Sequence, residues 1–195
     1  GGTGTFTDWT TSGDNYTMTV DAGTEITLPT LQKTGYNFAG WHDGETTVAS
    51  PYTTTKDITL TAQWTAQQYN IIYKDQGNVD FSGSHEEGSP TQHTYGTATT
   101  LKDATKTGYT FGGWYKEPEC TNNVTTLGAT DYTSDITLYA QWTANTYTVQ
   151  FDANEGTGEM EDQSFTYDVA QNLSENTYTR TGYNFTGWNT AADGN

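Results

Sequence analysis

Gly35-Tyr36-Asn37-Phe38-Ala39-Gly40-Trp41 returns as Gly108-Tyr109-Thr110-Phe111-Gly112-Gly113-Trp114, and again as Gly182-Tyr183-Asn184-Phe185-Thr186-Gly187-Trp188. The copies start 73 and 74 residues apart. A fixed period of this length marks a tandem array of small units and outranks any local reading. Within each copy Tyr and Phe are two apart, as on one face of a strand, and Trp follows three later at the strand's exit. The glycines relieve sterics where the backbone turns or meets another strand. Tyr36, Phe38 and Trp41, then Tyr109, Phe111 and Trp114, then Tyr183, Phe185 and Trp188 are the expected aromatic keystones of three β-rich units, with the three tryptophans in like surroundings.

Outward from the keystone, Ile58, Leu60, Ala62 and Trp64 alternate with Thr59, Thr61 and Gln63, the pattern of a strand with one buried face. The same Ala-Gln-Trp ending recurs at Trp142, 78 residues after Trp64. Tyr69 to Tyr73 and Tyr147 to Phe151 read as opening strands. At the front, Thr5 to Trp9 and Tyr16 to Val20 flank Ser12-Gly13-Asp14-Asn15, which reads as a hairpin. Thr97 to Ala104 reads as a short helix, although its threonines oppose one. Asp168 to Leu173 reads as another, with Asp168 as its N-cap. The fold class expected is α+β and strand-dominated, in the order strand, strand, short helix, strand, strand. The units are 1–66 with a divergent N-terminal hairpin, 67–144, and 145–195 without a closing strand.

Aromatics make up 14% of the residues while all hydrophobics make up only 32%, so the rings must supply much of each small core. The net charge of −17, from 24 acidic and 7 basic residues, argues against nucleic acid, whose phosphates need Lys and Arg. It argues equally against a polybasic contact with anionic lipid, and no apolar run is long enough for membrane insertion. The charge itself serves solubility. With Cys120 as the single cysteine, no intrachain disulfide staples the fold.

Thr-Gly-Tyr-x-Phe-x-Gly-Trp, the closing Leu138-Tyr139-Ala140-Gln141-Trp142 and the opening Tyr147-Thr148-Val149-Gln150-Phe151-Asp152-Ala153-Asn154 together resemble the Listeria–Bacteroides repeat family, the internalin-type B-repeat. The resemblance covers nearly the whole chain. It implies tandem β-grasp-like modules, a mixed sheet curled over one short helix, on exported or wall-attached bacterial proteins. It implies a stalk or adhesion role, extracellular, and brings no catalytic residues with it, so no enzyme is expected.

Candidate sites are few. Asp152 and Asn154 offer oxygen atoms as Ca2+ loops do, but the distal bidentate Glu of an EF-hand is missing, and a Gly-rich turn explains the stretch better. His42, His85 and His93 have no metal-ligand spacing. Cys120 stands among Glu117 and Glu119, which disfavour a thiolate. Trp64 and Trp142 join the keystones as core, whereas Trp9 lies outside the repeated positions and is the candidate exposed binding platform. Three roles remain: a surface stalk or adhesion module, a filament subunit joined head to tail by strand complementation, and a carbohydrate- or protein-binding module. The partners are correspondingly a cell-surface protein or glycan, or further copies in a fibre. The loops His42 to Tyr52 and Tyr115 to Tyr132 differ enough to carry such contacts.

Overall fold

The structure is a computed structural model that describes residues 2–5, 9–12 and 15–193. Its regular secondary structure is nearly all strand. Among the described residues the sole helical element is the 3₁₀ turn Gln76–Asn78. The α+β, β-grasp-like expectation is therefore corrected to a β fold. Of the stretch expected to be the second unit's helix, Thr99–Thr100 pairs with Thr126–Leu127 and Ala104–Thr105 pairs with Ser84–His85. Residues 168–173 form a turn and irregular backbone, and Asp168 has φ 59, which no helix N-cap adopts. The physical reason is visible in the side chains. Threonine is β-branched and favours extended backbone, and Leu101 and Ala104 enter the core from that extended path, where the helix was expected.

The largest sheet has the order Gln92–Thr94, Gln68–Asp75, Ile136–Ala144, Tyr109–Tyr115, Asn123–Val124. Its pairings are antiparallel except that Gln68–Asp75 and Ile136–Ala144 run parallel. Ile136, Leu138, Ala140 and Trp142 alternate inward along the central strand, as their period-two pattern requires. With Ile71, Trp114, Val124 and Leu127 they form the buried core. The loop 115–132 thus gives Val124 and Leu127 to the core. A smaller sheet repeats part of this plan, with Tyr36–Asp43 between Thr46–Val48 and Thr61–Ala66. Downstream, Thr146–Val149 pairs with Gln163–Thr166.

One detail explains the Phe-x-Gly-Trp spacing. Residues three apart on a regular strand face opposite sides. The ladder shifts register between Phe111 and Gly113, and likewise between Phe38 and Gly40. The extra residue is a β-bulge, and it returns Trp114 and Trp41 to the side that Phe111 and Phe38 face. Gly113 and Gly40 sit there at φ 112 and 114. The tryptophans lie inside these strands, not at their exits.

At the front a hairpin forms, but shifted into the expected turn: Thr10–Ser12 pairs with Asn15–Thr17 and residues 18–20 lie in no strand, while residues 6–8 of the first expected strand and 13–14 of the turn lie outside the described residues. Among the described residues, no helix is long and apolar enough to cross a membrane.

Candidate functional site

The three copies of the signature share one local arrangement. Phe38, Phe111 and Phe185 meet Trp41, Trp114 and Trp188 edge to face at 5.7, 5.2 and 5.0 Å. Each indole N–H donates to a backbone carbonyl upstream, of Pro29 at 2.8 Å, Lys102 at 2.7 Å and Ser174 at 3.1 Å. The closing-strand Trp64 and Trp142 pack on Phe38 and Phe111 at 5.4 and 5.2 Å. Burial differs: Trp114 is 3% exposed, Trp41 and Trp188 are half-buried, and Tyr183 and Phe185 are 66% and 52% exposed.

A second arrangement joins one signature to the segment that follows it. After the closing strand, Gln67 N–H donates to Gly35 O at 2.8 Å, and Tyr95 N–H donates to Gln67 O at 2.9 Å. The same two bonds recur at the second signature, where Asn145 N–H donates to Gly108 O and Tyr167 N–H donates to Asn145 O, each at 2.9 Å. The ring of Tyr95 lies so close over Gly35 that a Cβ there would stand 2.2 Å from it, and Tyr167 over Gly108 leaves 2.3 Å. Those rings also meet Tyr36 and Tyr109 edge to face at 5.5 and 5.6 Å. A cation completes each joint. Lys33 stands over Tyr36 and Trp64, and Lys106 over Tyr109 and Trp142. Sequence reasoning missed Tyr95, Tyr167 and these lysines, although the signature extends one step further as Lys33-Thr34-Gly35, Lys106-Thr107-Gly108 and Arg180-Thr181-Gly182.

A groove of about 620 Å3 opens beside the second joint, lined by Lys106, Tyr109, Phe111, Tyr167 and Asp168 with the hydroxyls of Ser82, Ser84, Thr105 and Thr107. Tyr109 donates its hydroxyl to Asp168 at 3.0 Å, and that bond holds its phenol above the ordinary range. Beneath the groove Asp75 is buried. It accepts from the Trp142 indole at 2.8 Å and from the hydroxyl and N–H of Ser82, with Lys106 Nζ at 3.9 Å. The carboxylate is thereby hydrogen-bonded and charge-paired, which its burial demands.

The remaining candidates fall elsewhere. Trp9 is half-buried and lines a 380 Å3 groove with Met18, Val20, Ile26 and Pro29. Asp152 accepts the N–H of Asn154 at 2.7 Å, and Glu155 pairs with Arg180, so this loop's acids are engaged with the protein. Among the described residues no three His, Cys, Asp or Glu converge as a metal site. Burial, then the carboxylates of Glu119 and Glu117, push the Cys120 thiol up, as its acidic neighbours lead one to expect. His85 is not a bare loop residue: its ring stacks on Phe81 at 4.4 Å and lies 4.5 Å from Tyr73. His93 is fully buried, with Nδ1 2.8 Å from the Thr99 hydroxyl.

The Listeria-Bacteroides repeat domain family matches residues 4–64, 69–141 and 147–195, nearly the whole chain. The chain therefore belongs to that family. A protein of Evansella cellulosilytica, by name a membrane protein, is 33% identical over 186 residues, covering 88% of this chain and 26% of its own length. Internalin H of Listeria monocytogenes is 41% identical over 115 residues, covering 55% of this chain and 20% of its own. The chain spans about a quarter or less of the curated relatives it matches. No solved structure matches.

Proposed function

We propose that this chain, as a member of the Listeria–Bacteroides repeat family, is a non-catalytic segment of an extracellular array on a bacterial surface. Its units are 1–66, 67–144 and 145–195, and it acts as a stalk or adhesion spacer. The observation that carries this reading is the joint itself. Tyr95 on Gly35 and Tyr167 on Gly108 repeat the same backbone bonds, ring contact and lysine, so successive units are coupled in one way. Repetition of one interface between neighbours is what lets a solenoid or array transmit position along its length. The likeness to internalin H supports a surface location. The acidic balance of −17 suits an exposed, soluble position.

Small-angle X-ray scattering of the chain tests the stalk. An elongated profile is expected, and a compact globule would sink it. Protease treatment of intact cells making the full-length protein tests the location, since a surface array is shaved and an internal one is not.

A second reading, binding of a glycan or a protein, draws support from the groove beside Tyr109 and Tyr167, where aromatic faces stand among hydroxyl groups. Pockets that combine apolar faces with a few placed polar groups are the usual form of a ligand site. Trp9 with its own groove is the other place for such a contact. Titration of a glycan array with the wild type and Tyr109→Ala decides its glycan half: signals lost in the variant support it, and an empty array removes it. The fibre reading is weaker. It draws its donor strand from the first twenty residues, yet residues 10–12 already pair with 15–17 and Thr3 bridges Gln32.

A further inference from the structure

The third signature carries the receiving half of the joint. Arg180 stands 4.1 Å over the Tyr183 ring, as Lys33 and Lys106 stand over Tyr36 and Tyr109. Gly182 has φ +80, against +74 and +78 at Gly35 and Gly108, and a Cβ on it would meet nothing within 4 Å. Tyr183 and Phe185 are exposed large rings, whereas Tyr36, Tyr109, Phe38 and Phe111 are half-buried. The same backbone conformation and the same cation thus present an uncovered face.

We propose that Arg180, Gly182, Tyr183 and Phe185 form an acceptor surface for another repeat unit of this family. As at the internal joints, the covering stretch is a closing strand of the Ala-Gln-Trp type followed by the opening of that unit, whose tyrosine seats on Gly182. The occupant is fixed by what seats the two internal joints. In both, the tyrosine is followed by a residue in the left-handed region, Gly96 at φ 88 and Asp168 at φ 59. A second copy of this chain does not fit. Its Tyr95 and Tyr167 are already seated, and its strand Ile136–Ala144 is paired on both edges.

This rests on the array reading but is tested apart from it. The probe is a peptide with the sequence of residues 136–168, used free and also fused after Asn195 through a flexible linker, so that weak free association does not decide the result. Amide hydrogen exchange at 183–188 is the readout. Protection is expected with the unaltered sequence. Tyr167→Ala in the peptide, or Gly182→Ala in the chain, is expected to weaken protection about tenfold, as the loss of one aromatic pair implies. Trp188 fluorescence in Gly182→Ala checks that the local Phe185–Trp188 pair is intact. Three results overturn the proposal: no protection even in the fused form, protection indifferent to both substitutions, or self-association of the chain alone that protects 183–188. An elongated scattering profile with no protection leaves the stalk standing and removes the socket, and a compact profile with protection does the reverse.

Discussion

The second and third signatures differ at only two positions between their first glycines and their tryptophans, Thr110 against Asn184 and Gly112 against Thr186, yet they end in different states. Around the second, Tyr109–Tyr115 is a strand paired with Ile136–Ala144, and Trp114 is sealed in the core. Around the third, residues 183–188 are in no strand, and Tyr183 and Phe185 face outward. The edge-to-face Phe–Trp pair and the indole-to-carbonyl bond are present in both. The lesson is a division of labour. The seven residues make their own aromatic pair from local contacts, but strand, bulge and burial need the Ala-Gln-Trp partner. The signature is half a sheet.

The sharpest way to break the comparison is to remove that partner's ring. Trp142→Ala deletes an indole packed on Phe111 and leaves the buried Asp75 carboxylate without a principal donor. A loss of about 3–5 kcal/mol is expected for a large core ring. Trp188→Ala, at a half-buried site, is expected to cost about 1 kcal/mol or less. Urea denaturation followed by tryptophan fluorescence measures both, and equal losses would refute the division.

The next largest effect separates the joint from the backbone. Gly108→Ala forces a Cβ into the Tyr167 ring and also strains a residue at φ +78, so about 2–3 kcal/mol is expected. Gly182→Ala carries only the conformational cost, about 1 kcal/mol. Differential scanning calorimetry on the two variants isolates the seated tyrosine as the difference. If the two shift the transition alike, the ring contributes nothing.

What the sequence made legible follows the same division. Period-two alternation read at residues 58–64 and carried to the recurring Ala-Gln-Trp ending was enough to place the central strand Ile136–Ala144 and its inward face, because one face of a sheet is buried and the other is not. In the first unit, by contrast, the strand is Thr61–Ala66 and residues 58–60 lie in none. The tandem signature was enough for the family. The helix read over residues 97–104 against its threonines failed because the strand Thr126–Leu127, which pairs with Thr99–Thr100, lies outside the local stretch and claims those residues for a ladder. Tyr95, Tyr167 and Asp75 escaped notice because their partners lie about 60 residues away, at Gly35, Gly108 and Trp142. Only the recurrence of Lys or Arg two places before the glycine signalled the joint in advance.

Alkaline pH gives a smaller, graded effect confined to the second region. Tyr73 donates to Pro90 O at 2.7 Å, and burial pushes its phenol up to about 12 from the ordinary 10.0. The unfolded chain ionises first, so this contribution is complete below pH 10 and is lost as pH rises toward 12. Urea midpoints taken between pH 8 and 11 should fall more steeply in the wild type than in Tyr73→Phe, and identical slopes would contradict the assignment.

The smallest expected effect lies on the acid side and again sets the two regions apart. Burial lowers the pKa of His85 from 6.5, because a charged imidazole stacked on Phe81 and beside Tyr73 and Trp114 loses hydration. The unfolded chain takes up its proton first, at the ordinary 6.5. Stability from neutral His85 is therefore complete above that value and is lost as pH falls through the folded pKa below it. Residues 145–195 contain no histidine, so mild acid has no imidazole to charge there. Hydrogen exchange at pH 7 and pH 5, corrected for the intrinsic rate, should show the amides of Ile71–Asp75 and Tyr109–Tyr115 loosening while Thr146–Val149 holds. His85→Phe keeps the stacking and removes the charge, so in that variant the second region should lose most of its acid response. Equal loosening of both regions, or an unaltered response in His85→Phe, would mean that the aromatic cluster does not hold His85 neutral.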